Sequence, residues 1–350
     1  AWAELSSGRF EAGTFAKSRI EDELERIGPA EVIFREDDVH FSPDTTASWS
    51  WTPRPAWSFA EDSATETLCK QLSVHNLEGF GFEPTDVPAI RAAGAVLTYL
   101  QETQRSGLDH FQTLTSHRRS GFLQIDAATR RSLEITRTLR SGSREGSLLG
   151  VIDLTCTPMG SRLLADWISA PLINTTGINH RLDAVEMLSA ETGFRADIQK
   201  TLNQTFDLTR LLGRIATGRT GPRDLQQIAR TLASLPLLKA HLAGRPPERL
   251  CFIDAHLHLC PDLREKLESG LADECPLNAA DGNFIREGFD TELDELRTLA
   301  RGGKEWIAAY QRDQMEQTGI TNLKVGYNKV FGYYLEATNA HRDKVPDFYI

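Results

Sequence analysis

Cys251, His256, His258 and Cys260 form the densest group of metal-competent side chains in the sequence. Two thiolates and two imidazoles make a legitimate zinc set. Their spacing, C-x4-H-x-H-x-C, works against one shared ion. On a helix, positions 256 and 258 point about 200° apart. On a strand those two share a face, but the cysteines then sit on different faces. No metal is therefore expected there. Gly302-Gly303-Lys304 has the ending of a phosphate loop. Such a loop needs Gly five residues earlier and Ser or Thr after the Lys. Position 298 is Thr and position 305 is Glu, so no nucleotide is expected. Glu4, Asp37 and Asp38 are carboxylates of the kind that hold Mg²⁺ in a nuclease. Nothing in their spacing gathers them, and surface carboxylates near strand ends are the simpler reading. No Ser-His-Asp or Cys-His arrangement follows from spacing.

Two basic groups remain. Arg130, Arg131, Arg137, Arg140 and Arg144 make a predicted helix near 126–144 basic. It reads as a solvated face with Glu134 as partner, or as a surface near DNA or a neighbouring domain. The other group is Lys324, Tyr327, Asn328 and Lys329. Residues 287–316 hold eight carboxylates against four basic residues, whereas 317–335 hold two lysines and no carboxylate. A stretch cleared of negative charge suits a phosphate backbone. Two lysines are a small footprint, so a solvated hairpin that touches nothing stays open as the alternative.

The elements that would carry this tip are legible. From Phe289 to Gln317, apolar or small residues return in a four-three rhythm: Phe289, Leu293, Leu296, Ala300, Gly303, Ile307 and Tyr310. That is the seam of a long helix facing a neighbour. Thr318-Gly319 ends it, since Gly accepts the left-handed cap conformation. Leu323–Tyr327 and Val330–Glu336 then read as two strands. Tyr327-Asn328-Lys329 is the expected turn, with Asn taking positive φ.

These residues also carry a resemblance. Ile285-Arg286-Glu287-Gly288-Phe289, Glu292-Leu293-Asp294-Glu295-Leu296, Thr318-Gly319-Ile320 and Leu323-Lys324-Val325-Gly326-Tyr327-Asn328-Lys329-Val330-Phe331-Gly332-Tyr333-Tyr334 resemble the clamp of the MutS family of DNA mismatch-repair proteins. In that family the clamp is a helical arm whose β tip touches the duplex backbone without reading sequence. The resemblance implies Asn328 and Lys329 at the DNA, with Lys324 and Tyr327 close by. Leu148-Leu149-Gly150-Val151-Ile152-Asp153, Thr157-Pro158-Met159-Gly160-Ser161-Arg162-Leu163-Leu164, Arg181-Leu182-Asp183-Ala184-Val185 and Asp207-Leu208-Thr209-Arg210-Leu211-Leu212-Gly213-Arg214-Ile215 resemble the family's core and lever. Leu5-Ser6-Ser7-Gly8-Arg9-Phe10 and Leu77-Glu78-Gly79-Phe80 resemble its connector, which has a ribonuclease H-like fold. Most of the family has Asp where Glu4 stands. Phe59-Ala60-Glu61 matches the family's mismatch-stacking Phe-x-Glu, but outside the domain that carries it, and is read as chance.

The expected fold class is multi-domain, α plus α/β. Residues 1–105 form a ribonuclease H-like connector, 106–284 a mainly helical core and lever, and 285–350 a clamp cut before its return helix. In order, Ala1–Leu5 and Arg9–Phe15 read as strands, Ser18–Ile27 as a helix and Glu31–Phe34 as a strand. Asp44–Trp57 reads as loop, Pro88–Gln104 as a helix, and 106–280 as all helix after an extended strip at Gly121–Asp126. Thr157 is the expected N-cap of a helix starting at Pro158. Ile178–Leu188 and Leu225–Leu238 are further helices, the latter ended by Pro236.

The whole chain sets outer bounds. A formal charge of −10 over 350 residues excludes a generally basic nucleic-acid coat and confines DNA contact to a local patch. No apolar run approaches the ~20 residues of a membrane span, and no secretory leader pattern opens the sequence. Five scattered cysteines fit a reducing compartment better than a disulfide framework. Ala1 is not Met, and Val345–Ile350 stops without a returning helix, so a piece of a longer protein is expected. The resemblance implies that the whole protein is a cytoplasmic, nucleoid-associated homodimer. It would bind mismatched duplex DNA, use ATP and Mg²⁺ in a domain not present here, and recruit a MutL-type partner. No cofactor, catalytic residue or enzymatic activity is expected of residues 1–350 themselves. A helical scaffold without DNA binding and a metal-dependent nuclease acting through the first domain are the other readings.

Overall fold

The computed structural model describes residues 1–38, 49–83, 85–104, 107–117, 121–330 and 332–346. The chain divides into two units, residues 1–268 with 274–284, and residues 269–273 with 285–350.

The first unit opens on a three-stranded sheet. Strand β1 (Trp2–Glu4) pairs antiparallel with β2 (Arg9–Ala12) through the turn at Gly8, whose φ is +72°. A side chain on Gly8 would also meet the His110 carbonyl, so Gly serves both conformation and close approach. Phe10 and Ala12 are fully buried under helix α3 (Val87–Thr103), which contributes Ala89, Ala93 and Leu97. Helix α2 (Glu61–Leu72) packs on α3 with Leu68 inward. The stretch 107–117 differs from the expected helix. Leu108, Phe111 and Leu114 join this core, and β5 (Thr115–Ser116) pairs parallel with β2. Two strand residues are too few to show a period, so only the waiting edge of β2 defines them.

Helix α1 (Ile20–Ile27) ends at Gly28, in the left-handed region. Next comes β3 (Glu31–Arg35), paired parallel with β4 (Ser50–Arg54). The expected loop at Asp44–Trp57 is thus corrected over 50–54; positions 44–48 lie outside the described residues. Pro53 is tolerated because, among the described residues, β4 has a neighbour on one side only. Trp51 gains its cover edge-on from Phe34, with ring centroids 6.2 Å apart.

The rest of the unit is helical. Helix α4 (Ala127–Ser132) begins where Asp126 accepts from Thr129 N at 2.8 Å. It stops there, so the basic helix expected over 126–144 is corrected to one short helix followed by turns. Glu134 adopts φ +48°, which no helix accommodates, and its carboxylate accepts from Leu139 N instead of facing an arginine. Then follow α5 (Leu148–Ile152), α6 (Pro158–Ser169), α7 (Thr175–Ala190), α8 (Thr192–Leu202) and α9 (Leu208–Ala216). The expected cap holds: Thr157 Oγ1 accepts from Gly160 N at 3.0 Å. The extended strip lies along 171–173, with Leu123 N donating to Pro171 O at 2.7 Å.

Helix α10 (Pro222–Leu242) continues past Pro236, against expectation. Leu232 and Leu235 before it sit in one core cluster, and Leu238 and Leu242 after it in another. Packing on both sides outweighs the one backbone hydrogen bond that Pro removes. Helices α11 (Glu248–His256) and α12 (Pro261–Gly270) follow. No helix among the described residues is long and apolar enough to cross a membrane.

The second unit is built on α13 (Thr291–Thr318), a 28-residue helix. Asp290 caps it by accepting from Leu293 N at 2.9 Å. Gly319 closes it at φ +66°. Strands β6 (Lys324–Asn328) and β7 (Gly332–Glu336) form an antiparallel hairpin beyond it.

Candidate nucleic-acid interface

The hairpin is anchored at its root. Ile320 and Leu323 are fully buried, and Gln311 Nε2 on α13 donates to Leu323 O at 3.0 Å. Asn322 Nδ2 donates to Thr338 Oγ1 at 3.1 Å, tying the two ends of the hairpin. From that root the strands run out in register, Lys324 opposite Glu336 and Asn328 opposite Gly332.

The turn sits later than expected. Asn328 closes β6, and the connection is 329–331, of which Phe331 lies outside the described residues. Gly332, not Asn328, takes the positive φ, at +76°. Asn328 shapes the turn differently, its Oδ1 accepting from Val330 N at 3.0 Å. Glycine wins the left-handed position because it has no Cβ to strain.

The register divides the four predicted site residues. Alternation puts Lys324 and Asn328 on one face, with Gly326 between them. Tyr327 lies on the other face, between Val325 and the turn. Lys329 is exposed in the turn itself. Lys324 is also exposed, but faces Glu336 across the ladder, which offsets its charge. Lys329 has no such opposite number in the pairing. Among the described residues the tip therefore offers one unopposed cation at its end and a second further back.

Tyr333 and Val330 were not singled out from sequence, and both are prominent. Tyr333 lies directly opposite Tyr327, with ring centroids 5.0 Å apart. Cross-strand alternation was the available signal. Tyr334 plays a different part. A Cβ on Gly326 would fall 2.6 Å from its Cζ, so its ring lies over the glycine backbone.

Along the arm the predicted seam is not covered within the unit. Leu296 and Tyr310 are exposed, and so are Leu299 and Trp306 beside them. Gly302, Gly303 and Lys304 lie in mid-helix, with no strand before them; the side chain of Lys304 lies outside the described residues.

The other constellations are dispersed. Cys251 and His256 sit on α11, where Cys251 Sγ donates to Arg245 O at 2.9 Å and His256 Nδ1 lies 2.8 Å from Phe252 O. His258 and Cys260 follow the helix. Glu4 ends β1 and is held by the Ser6 and Ser7 hydroxyls at 2.9 and 2.8 Å. Asp37 and Asp38 follow β3 in the other sheet, Asp37 bound to Arg35. Among the described residues no three His, Cys, Asp or Glu side chains come together as metal ligands would. The basic run is largely occupied: Arg130 is buried and donates to Ser169 O at 2.7 Å, Arg131 pairs with Glu25, and Arg144 pairs with Asp153.

The helical core is joined by two carboxylates. Asp207 accepts a forked pair of bonds from Arg162 at 2.6 and 2.8 Å, and caps α9 through Arg210 N. The Arg162 guanidinium first, then that N–H, hold its pKa below the usual range against the effect of burial. Asp153, at the end of α5, accepts from Ser161, from Thr155 and from Arg144, which depresses it strongly. Gly213 on α9 lets the Ser6 carbonyl approach to where a Cβ would stand 2.5 Å away, joining the sheet's first turn to the helices.

Comparison with known families gives two matches. The family model for MutS domain III matches residues 128–342, and that for MutS domain II matches residues 1–112. The chain belongs to the MutS family. The DNA mismatch repair protein MutS of Rhodopirellula baltica is 67% identical over 350 residues, which are 100% of this chain and 39% of that protein. Its counterpart in Salinibacter ruber is 38% identical over 349 residues, 99% of this chain and 38% of that protein. The MutS of Chlorobium limicola is 38% identical over 353 residues, covering 40% of its length. The chain thus spans about two-fifths of the length of these MutS relatives. Its mixed helical and small-sheet architecture is that of MutS domains II and III.

Proposed function

We propose that this chain is the part of a mismatch-repair protein that grips duplex DNA and relays that grip through its helices. The β6–β7 tip meets the sugar-phosphate backbone without reading sequence, with Asn328 and Lys329 at the DNA and Lys324 and Tyr327 close by. The observation that carries this reading is the charge division along one element. The 28-residue helix α13 is acidic, and the hairpin at its end has two lysines and no carboxylate through Leu335. A polyanion is repelled by the arm and admitted at the tip.

Residues 1–105 serve as a connector of ribonuclease H-like fold, 106–284 as core and lever, and 285–350 as clamp. In the whole protein, these work as a cytoplasmic, nucleoid-associated homodimer on mismatched duplex. ATP hydrolysis with Mg²⁺ takes place outside these residues, and a MutL-type partner is recruited. Membership of the family supports all of this.

Titration of the 350-residue chain with labelled duplex in low salt tests the tip. Two phosphate contacts give a slope of about −1.8 in log K against log salt, so affinity falls about tenfold between roughly 50 and 200 mM salt. Lys324→Glu with Lys329→Glu removes most binding. Unchanged binding in that double variant refutes the assignment. A scaffold that contacts protein is the second reading, favoured by the exposed stripe of Leu296, Leu299 and Trp306. It requires that duplex DNA not bind at all.

A further inference from the structure

The hairpin tip presents more ring surface than charge. Tyr327 and Tyr333 are 62% and 66% exposed, and Val330 at the apex is 81% exposed. The two rings are 5.0 Å apart and inclined at 57°, so they brace one another while their outer surfaces stay open. Tyr334 is committed to Gly326, and Val325 and Leu335 are half-buried nearer the root. The exposed pair thus lies at the outer end of its face. Of the two lysines, Lys324 is offset by Glu336 across the ladder. The electrostatic hold on a polyanion is correspondingly slight.

Rings held open beside an exposed cation match one feature of nucleic acid. A base offers its flat face when unpaired, and hides it when stacked inside an intact duplex. Resting on the reading above that the tip touches DNA, we infer that Tyr327 and Tyr333 form a stacking platform for unpaired bases. The hairpin then prefers single-stranded or locally opened DNA to intact duplex. Stacking tolerates any base, because every base has a π-face. Lys329 supplies the phosphate contact alongside it.

The test uses the 350-residue chain, with fluorescence anisotropy on a labelled oligothymidine of about 20 nucleotides and on a blunt duplex of the same length. The single strand binds more tightly. Tyr327→Ala with Tyr333→Ala weakens single-strand binding about tenfold. Duplex binding falls by a clearly smaller factor, and the salt slope is unchanged because no charge is lost. Tyr333→Trp retains single-strand binding, since a larger ring stacks as well. Circular dichroism confirms that the exposed substitutions leave the fold intact. If the tyrosine variant weakens both DNAs equally, or the single strand binds no better, the stacking platform is overturned. The lysine reversal still weakens both DNAs in that case, and tip contact stands. If the lysine reversal changes neither, the tip reading falls and takes the platform with it.

Discussion

Gly94→Ala is expected to destabilise the first unit by about 2 kcal/mol. Gly94 lies in the middle of α3, and a Cβ there would fall well inside 3.0 Å of both Cα and Cβ of Ala64 on α2. Neither atom belongs to a flexible side chain, so the helices must part by on the order of 1 Å to restore ordinary contact. That movement disturbs Leu68, Ala93 and Leu97, which are fully buried beside it. Overpacking of this kind costs about 3 kcal/mol at the upper end of its usual range. Alanine returns about 1 kcal/mol as the better helix former. The difference of about 2 kcal/mol corresponds to a fall in Tm of roughly 3–4 °C for a unit of this size. Thermal unfolding followed by circular dichroism reads it directly. Gly302→Ala is the control, since Gly302 is exposed in mid-helix with nothing within 4 Å. It keeps the gain of about 1 kcal/mol without the clash. A Gly94→Ala chain that melts at or above the parent's temperature refutes the close-packing account of the α2–α3 interface.

Two further outcomes follow from the joints and the tip. Asp207→Ala removes an N-cap and strands Arg162, at about 1–2 kcal/mol in urea unfolding, while Asp207→Asn keeps most of the cap. Because the Asp207 pKa is lowered in the fold, its contribution is complete above about pH 4 and declines as pH falls through the folded value. Asp207→Asn therefore flattens the acid side of the stability profile; an unaltered profile contradicts the pairing with Arg162. Gly326→Val drives a side chain into the Tyr334 ring and unsettles the hairpin. Amide exchange at β6 and β7 is expected to rise about tenfold while α13 stays protected, and equal protection in both chains removes the role given to Gly326.

Much of the molecule is legible because local chemistry decides it. The four-three rhythm of α13, its Gly319 cap, the Thr157 cap of α6 and the two strands of the tip all follow from nearest neighbours. The long strings around Lys324–Tyr334 and Asp207–Ile215 carry the family assignment without any coordinates. At several places where sequence reading failed, a distant partner made the decision. Ser50–Arg54 becomes a strand because β3 lies alongside, and Thr115–Ser116 because β2 has a free edge. Pro236 stays in its helix because core clusters hold both sides of it. The basic run breaks after Ser132 because Glu134 turns back onto the chain while Arg130 and Arg144 find partners elsewhere.

The same division runs through the site. Residue order alone determined that a hairpin with Lys324, Tyr327, Asn328 and Lys329, and no carboxylate before Glu336, follows a long acidic helix. Only pairing across the ladder decided that Glu336 stands opposite Lys324, that Gly332 turns the chain, and that Tyr333 meets Tyr327. A strand's own sequence specifies alternation but not register, and register is what assigns each side chain its neighbour and its face.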